Sequence, residues 1–579
     1  MNQELFAHLQ LIYGTETAAT VAERLDRMLA AFQASAGPER PASRPRVSHQ
    51  DAILITYGNM VQTERERPLT TLAHFLENHL TGLVSAVHLL PFFPYSSDDG
   101  FSVIDYKAVH PAWGDWPDVA QIGGRQSGRF RLMFDLVVNH TSVQCEWFQA
   151  FLREERPYTD FYITADPDAD LSMVFRPRTH PLLTPFATET GTRHVWTTFS
   201  ADQVDLNFAN PEVLLAILDV LLFYVAQGAE FIRLDAIAYI WKESGTDCLH
   251  RPQAHEIVKL MRTVLNQAAP HVSLITETNV PHAENIAYFG NGRDEAQLVY
   301  NFSLPPLTLH AFHTGNAEIL SQWADSLTLP SDETTFFNFL ASHDGIGVQP
   351  ARGLLSDTAV TDMANRIKAL GGYVNYKTNS DGSQSPYELN CTYLDALGDP
   401  DQPDEPIALK AQRFLAAQAI MLALRGVPGI YFHSLFGSQN WHEGVRQTGH
   451  NRTINRQKCQ LDQLVDELAD PASLRHHVFA GYAHLLRQRT GMAAFAPQGE
   501  QQVLFCHPAV FALWRMSPDG RDRLLCLHNV SNQPVRLEVA APDAGMLINV
   551  LAAAEKVVVA DGRVQLPLPP YGVKWLQPN

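Results

Sequence analysis

The chain has 579 residues, 43 of them Lys or Arg and 62 Asp or Glu, so its net charge is −19. This acidic balance argues against a nucleic-acid partner, because phosphate contacts need a basic face, and against adhesion to an anionic membrane. Hydrophobic residues make up 45% of the chain, which excludes global disorder, and the length fits one large barrel with accessory parts.

The first 48 residues have a mainly helical pattern. Apolar positions recur through AATVAERLDRMLAAF (18–32), and the segment PERPASRPR (38–46) then ends the periodicity. The opening residues lack a basic segment, a long apolar run and a small-residue cleavage site, so we expect no signal peptide. Six scattered cysteines without a C-x-x-C pair predict reduced thiols and a cytoplasmic protein.

The most apolar stretch of the chain is 213–226 (VLLAILDVLLFYVA). It contains Asp219 and is shorter than the ~20 residues that cross a bilayer. A buried helix is the better interpretation, with Asn210 as its N-cap and Pro211 in its first turn.

From Asp51 onward, eight short β-prone runs alternate with helical stretches. Such alternation predicts parallel βαβ units, and eight is the number of strands in a closed (β/α)₈ barrel. The predicted fold class is therefore α/β, a TIM barrel. The runs are AILITYG (52–58), SAVHLLPF (85–92), RLMFDLVV (131–138), EFIRLDAI (230–237), SLITET (273–278), LVYNF (298–302), TTFFNFLASH (334–343) and GIYF (429–432).

Two connections are far longer than the few residues that usually join barrel elements. Insertions after barrel strands lie at the carboxyl-terminal face, where active sites of this fold are built, so we expect both to roof a pocket. After residue 490, short alternating runs between turn residues predict a small antiparallel β domain. The predicted units are a helical extension (1–48), the barrel (49–140, 210–345 and 406–490), insertions after strand three (141–209) and strand seven (346–405), and the carboxyl-terminal domain (491–579).

Charged and polar residues stand at the ends of the predicted strands, where catalytic groups of a barrel belong. Three of them, Asp235, Glu277 and Asp344, are carboxylates at the ends of three different strands. An inward, unpaired carboxylate there would cost several kcal/mol, which favours a functional cluster over packing. The charged and polar residues are Asp98 after strand two, His140 after strand three, Arg233 and Asp235 on strand four, Glu277 after strand five, and His343 and Asp344 after strand seven; the aromatic Phe101 lies beside Asp98.

Paired carboxylates in one pocket are the equipment of glycoside chemistry, in which one attacks the anomeric carbon or activates water and the other moves a proton. A third can stabilise the oxocarbenium-like transition state. Arg233 lies two residues before Asp235, on the same face of a strand, where it would keep that carboxylate ionised. Divalent-metal binding is the alternative for such a cluster, but no EF-hand or H-E-x-x-H motif is present, and no nucleotide-binding glycine motif occurs.

Four segments give this pattern a specific resemblance. DLVVNH (135–140), FIRLDAI (231–237), ITETN (275–279) and LASHD (340–344) resemble, in order, the four motifs of the α-amylase superfamily, glycoside hydrolase family 13. The resemblance implies that Asp235 is the nucleophile, Glu277 the acid/base and Asp344 the transition-state stabiliser. It places His140, Arg233 and His343 around the bound glucose.

The segment LLPFFPYSSDDGFSVIDY (89–106) resembles the sucrose-phosphorylase branch of that family, which needs no calcium, so we expect no metal and no cofactor. By this resemblance Asp98 and Phe101 hold glucose, and NRTINR (451–456) supplies Arg452 as a second glucose ligand. The resemblance also makes Phe186 an aromatic wall beside the acid/base and Tyr239 an acceptor-side residue.

One departure from the branch is informative. Its sucrose phosphorylases carry a Y-Q-V-N loop, whereas this chain reads Tyr387-Glu388-Leu389-Asn390. That change and the helical extension resemble the glucosylglycerate phosphorylases more closely. In that group Glu388 is expected to contact a small polyol acid.

The resemblance implies retaining phosphorolysis of an α-glucoside, foremost 2-O-α-D-glucosyl-D-glycerate, giving α-D-glucose 1-phosphate and D-glycerate. The alternatives are a phosphorylase of sucrose or sucrose 6′-phosphate, an α-glucosidase that uses water, and a non-catalytic sugar-binding barrel. Phosphate and glycerate need cations at the pocket mouth, for which Arg176, Arg178 and Lys242 are candidates. We expect a monomer or homodimer whose partners are the glucoside and inorganic phosphate.

Overall fold

The computed structural model describes residues 2–36, 46–124, 128–379, 383–541, 545–552 and 554–579. Eight parallel strands close into a barrel in chain order, so the predicted fold class is confirmed. Each strand overlaps its predicted run, although the last begins two residues earlier than expected. The strands are β1 (Ile53–Thr56), β2 (Ala86–Leu89), β3 (Arg131–Val137), β4 (Ala229–Asp235), β5 (Ser273–Thr276), β6 (Leu298–Tyr300), β7 (Thr335–Asn338) and β8 (Val427–Tyr431).

Helices surround the barrel. The apolar stretch predicted as a buried helix forms Pro211–Ala226, and the Asn210 side chain accepts a hydrogen bond of 3.0 Å from the amide of Glu212. No helix in the described part of the chain is long and apolar enough to cross a membrane. The longer helices outside the insertions are Pro68–Leu80, Trp116–Ile122, Pro211–Ala226, Pro252–Ala268, Leu304–Thr314, Glu318–Asp325, Ile407–Ala423, Leu461–Ala469 and Leu474–Thr490.

The amino-terminal extension forms two helices, Gln3–Tyr13 and Thr15–Ala36, that pack on the outside of the barrel. The Tyr13 hydroxyl donates a 2.8 Å hydrogen bond to the backbone oxygen of Phe208. His8 lies 2.9 Å from Glu256. Most of the predicted break at 38–46 lies outside the described residues.

Both long connections carry secondary structure of their own. After β3, a helix (Glu146–Leu152) precedes the hairpin Leu183–Thr188/Gly191–Trp196, and His140–Ser142 pairs with Gln203–Asp205. After β7, a three-stranded sheet and the helix Asp357–Ala369 form a second insertion. The strands of that sheet are Ile346–Gly347, Tyr373–Thr378 and Gln384–Asn390.

The carboxyl-terminal segment is an antiparallel β domain, as predicted. A six-stranded sheet and the two-stranded sheet Val535–Ala540/Arg563–Leu568 enclose a separate apolar core. The six-stranded sheet contains Glu500–Leu504, Val510–Met516, Arg523–Asn529, Val573–Pro578, Met546–Asn549 and Lys556–Val558. The division of the chain into numbered units stays a prediction.

Candidate active site

A pocket opens at the carboxyl-terminal ends of the barrel strands, beneath both insertions. Its wall contains Asp235, Glu277 and Asp344, the three carboxylates that the sequence places at strand ends. The closed barrel explains this convergence, because parallel strands all end on the same face. Other predicted residues on the wall are Asp98, Phe101, His140, Arg178, Tyr239, His343, Glu388 and Arg452.

Asp235 is held by a chain of buried charges that runs across neighbouring strands. Its Oδ1 accepts a 2.8 Å hydrogen bond from Arg233, which also pairs with Asp135 on β3. Asp135 in turn lies 2.6 Å from the Nε2 of His88 on β2. Arg233 does not line the pocket. Its contact with Asp235 is the hydrogen bond to the carboxylate.

Glu277 follows β5 and lies against the end of β4. Its Oε2 accepts a 3.1 Å hydrogen bond from the amide of Ala236 and lies 3.8 Å from Arg233. Burial raises the pKa of both Asp235 and Glu277, and Arg233 opposes that rise. Interacting carboxyls titrate as a pair, so this pair keeps a proton to higher pH than an isolated carboxyl would.

Asp344 has the opposite electrostatic environment. Arg452 lies 2.6 Å from its Oδ1, and Arg456 lies 3.6 Å away. Although burial raises its pKa, Arg452, His343 and Arg456 together hold the pKa of Asp344 well below its ordinary value. The pocket therefore contains one carboxyl group with a lowered pKa beside two with raised pKa values.

The loop after β2 reaches the pocket through an unusual backbone. Asp98 and Asp99 both have left-handed φ angles, 52° and 48°. Gly100 has φ +114°, and a side chain there would collide with the backbone of Pro91. This turn exposes Asp98 and stacks the buried Phe101 on His343 at a ring-centroid distance of 4.6 Å.

His140 and His343 are both buried in the pocket wall. The Nε2 of His140 lies 3.0 Å from the backbone oxygen of Phe101. Burial lowers the pKa of His140, and it lowers the pKa of His343 to about 3. Both rings are therefore neutral near pH 7, which leaves them as hydrogen-bonding groups.

The structure corrects the aromatic residue expected beside Glu277. Phe186 lies in the hairpin of the first insertion, where its ring packs edge-on against Phe148 at 5.0 Å, and it does not line the pocket. Phe199 lines it instead, between His140 at 5.4 Å and Tyr239 at 5.2 Å. The sequence could not show which of the two Phe residues lines the pocket. The fold of the hairpin, which turns Phe186 away from the pocket, decides it.

The two arginines of NRTINR make different contacts. Arg452 lines the pocket and bridges Asp344 and Glu388, with a 2.7 Å contact to the second. Arg456 contacts the β2 loop, at 2.7 Å from Asp99 and 3.5 Å from Asp98. Sequence reasoning missed Arg456, although it lies four residues after Arg452 in the same motif.

Only one of the three candidate cations lies on the pocket wall. Arg178 lines the pocket between the rings of Phe199 and Tyr387, at 6.0 and 5.9 Å. Arg176 donates a hydrogen bond to the backbone of His180 and is absent from the wall.

Lys242 is also absent from the pocket wall. Its ammonium lies 2.7 Å from both Asp205 and the Oδ1 of Asn139, and it donates a further bond to the Tyr239 backbone. These contacts tie the first insertion to the ends of β3 and β4. A cation so fully paired cannot also hold a substrate anion without losing them.

The alpha amylase catalytic-domain model matches residues 79–348, and the sucrose hydrolase-like C-terminal domain model matches residues 522–577. A glucosylglycerate phosphorylase of Spirochaeta thermophila is 49% identical over 98% of this chain and 97% of its own. One of Allomeiothermus silvanus is 51% identical over 92% and 93%.

The crystal structure of sucrose 6F-phosphate phosphorylase from Thermoanaerobacter thermosaccharolyticum is similar, with a TM-score of 0.71 and 27% identity over 83% of this chain and 94% of its own. Relatives near 50% identity over almost the whole length establish the enzyme class, a glycosyltransferase-type phosphorylase that acts on glucosides. The chain belongs to the α-amylase family, glycoside hydrolase family 13, with the glucosylglycerate phosphorylases among its relatives.

Proposed function

We propose that the enzyme phosphorolyses 2-O-α-D-glucosyl-D-glycerate to α-D-glucose 1-phosphate and D-glycerate, with retention at the anomeric carbon. The names of the relatives at 49% and 51% identity support this substrate. The observation in the pocket that carries the proposal is Arg178. In the described part of the chain this arginine lines the pocket without an ion pair to a carboxylate. A reaction that seats a glycerate carboxylate and then a phosphate needs such an open guanidinium.

In the first step, an Asp235 oxygen attacks the anomeric carbon while Glu277 gives its proton to the glycosidic oxygen. The bond from carbon to glycerate O2 breaks, a glucosyl ester to Asp235 forms, and glycerate leaves with a free hydroxyl. The distances to Arg233 favour Asp235 as the ionised nucleophile and Glu277 as the acid, because Arg233 is 2.8 Å from Asp235 but 3.8 Å from Glu277. On these distances we assign the transferred proton to Glu277.

In the second step, a phosphate oxygen attacks the same carbon from the side that glycerate left. The ester to Asp235 breaks, Glu277 takes the proton of the attacking phosphate, and the product is α-D-glucose 1-phosphate. Two inversions give net retention. The ionised Asp344 lies in the same wall and stabilises the positive charge that develops on the sugar in both steps.

Product analysis with phosphate and three donors tests the proposal. Glucosylglycerate, sucrose and sucrose 6′-phosphate are each incubated with enzyme and phosphate, and sugar phosphates and free glucose are separated and quantified. We expect α-D-glucose 1-phosphate from glucosylglycerate with a kcat/KM well above that of either sucrose donor. Free glucose as the main product would instead establish a hydrolase, and a preference for either sucrose donor would overturn the acceptor assignment.

A further inference from the structure

The pocket wall contains a polar side chain that the proposed mechanism leaves unused. Asn279 lies two residues after Glu277 and lines the same pocket. The intervening Thr278 also lines the pocket, and its hydroxyl is already bonded to Asn285 at 2.6 Å. Asn279 therefore borders the part of the pocket next to the acid/base, where the leaving group must lie.

The carboxamide oxygen of Asn279 has an unmet requirement. Its Oδ1 is buried and, among the residues that the structure describes, has no hydrogen-bond partner. Buried acceptors in native proteins are nearly always paired, and each exception calls for an explanation. Because Oδ1 can only accept, its missing partner is a donor.

Gly347 explains how the amide is kept in place. A β-carbon at this glycine would lie 2.6 Å from Oδ1 and 2.7 Å from Nδ2 of Asn279. Gly347 does not have a left-handed φ, so its backbone conformation does not require glycine. Glycine is required because a side chain here would collide with the Asn279 amide. Gly347 is also the register partner of Glu388. Asn279, Gly347 and Glu388 thus form one continuous stretch of wall.

We propose that Asn279 selects the leaving group by accepting a hydrogen bond from its free hydroxyl, and that Gly347 provides the space this requires. The inference rests on the proposed function. Once glycerate is glucosylated through O2, its 3-hydroxyl is the one hydroxyl donor left on the acid. The ligand class selected is thus a short carboxylic acid with a hydroxyl next to the glucosylated position.

The test compares two acceptors in the synthetic direction, from α-D-glucose 1-phosphate. D-Lactate is D-glycerate without the 3-hydroxyl, so the ratio of their kcat/KM values isolates that group. We expect the wild-type enzyme to favour D-glycerate by roughly tenfold or more. Asn279→Ala should bring this ratio close to one. The variant lacks the hydrogen-bond acceptor, so D-glycerate gains nothing from its 3-hydroxyl over D-lactate.

Two further variants separate recognition from structure. Asn279→Asp keeps an accepting oxygen and should preserve the glycerate preference while weakening both acids by charge repulsion. Gly347→Ala leaves Asn279 in the chain but fills its space, and should lower the ratio as Asn279→Ala does. Thermal unfolding midpoints check that each variant folds.

The possible failures are distinguishable. A wild-type ratio near one, or an Asn279→Ala variant that loses both acids equally, would overturn the role of Asn279. An unchanged ratio in Gly347→Ala would overturn the role of Gly347. A wild-type enzyme that exchanges labelled phosphate into glucose 1-phosphate, but glucosylates neither acid, would overturn the proposed function itself.

Discussion

The two sides of the pocket are built in different ways. The barrel wall lies on strand ends and on the loops that follow them, and consists of Asp98, Phe101, Asp235, His343 and Asp344. Arg233, Arg452 and Arg456 form ion pairs with these segments. The insertion wall is formed by Arg178, Phe199, Tyr387 and Glu388.

The insertion wall carries fewer ion pairs. Glu388 pairs with Arg452, whereas Arg178 lies over two aromatic rings. In the described part of the chain Arg178 makes no salt bridge, although its charge helps to lower the pKa of Glu388. A rigid strand end suits chemistry that tolerates little displacement. An insertion can vary its residues without disturbing the barrel. The difference suggests that cleavage depends on the barrel wall and partner choice on the insertion wall.

The largest effect should come from the centre of the barrel wall. Asp235→Asn removes the proposed nucleophile, so kcat for glucose 1-phosphate release should fall by about 10⁴-fold or more with every donor. Asp219→Asn is the matched control and should keep wild-type kcat. Asp219 is an exposed carboxylate on the helix Pro211–Ala226 and pairs with Lys107. Substantial glucose 1-phosphate release by the first variant would mean that another group attacks the sugar.

Removal of the proposed acid/base should have a smaller effect that depends on the donor. Glu277→Gln should lower kcat/KM for glucosylglycerate by about 10²- to 10⁴-fold, because its leaving oxygen needs a proton. α-D-Glucosyl fluoride releases a good leaving group without one, so initial fluoride release should fall far less. Equal losses with both donors would remove the acid role from Glu277.

The barrel wall was also the part that the sequence predicted best. Strand-end residues such as Asp235 and Glu277 are placed by the barrel itself, so their spacing along the chain is sufficient to bring them together. The insertion wall depends on how a long segment folds back. Phe186 and Phe199 are thirteen residues apart and chemically identical, and only the hairpin between them decides which one reaches the pocket.

The charged residues show the same limit. Arg178 lies within the first insertion and Lys242 follows β4, and the sequence placed both near the pocket mouth. Lys242, however, is paired with Asp205, which is distant in sequence. Pairing partners across an insertion cannot be read from local spacing. Arg456 was missed for the same reason, since its contact with Asp99 joins loops after two different strands.

Arg178 tests whether the insertion wall binds the anions. Arg178→Ala should raise KM for phosphate, and for glycerate in the reverse direction, by roughly 10- to 100-fold, the loss of charge-assisted hydrogen bonds. Glucosyl transfer from α-D-glucosyl fluoride to water should change little, because neither anion takes part. Arg176→Ala, on the same loop but off the pocket wall, should keep wild-type KM values. If Arg176→Ala had the larger effect, the loop would have to bind anions in another arrangement.

The smallest effect concerns the stability of the barrel wall at low pH. Burial lowers the pKa of His343 to about 3, whereas an unfolded histidine titrates near about 6.5. The folded state therefore favours the neutral ring. The unfolding free energy is highest above about pH 6.5, and it decreases as the pH falls towards 3 because the unfolded chain binds the proton first. Between pH 6.5 and 5 this group alone should cost about 2 kcal/mol of unfolding free energy.

His343→Gln should remove that part of the pH dependence, which denaturant unfolding at several pH values would measure. His477→Gln, at an exposed histidine on a carboxyl-terminal barrel helix, is the control and should leave the dependence unchanged. An unaltered dependence in His343→Gln would mean that the ring has the same pKa in the folded pocket as in the unfolded chain. The barrel wall would then gain a positive charge beside Asp344 as the pH falls below about 6.5, and burial would not control the charge of this ring.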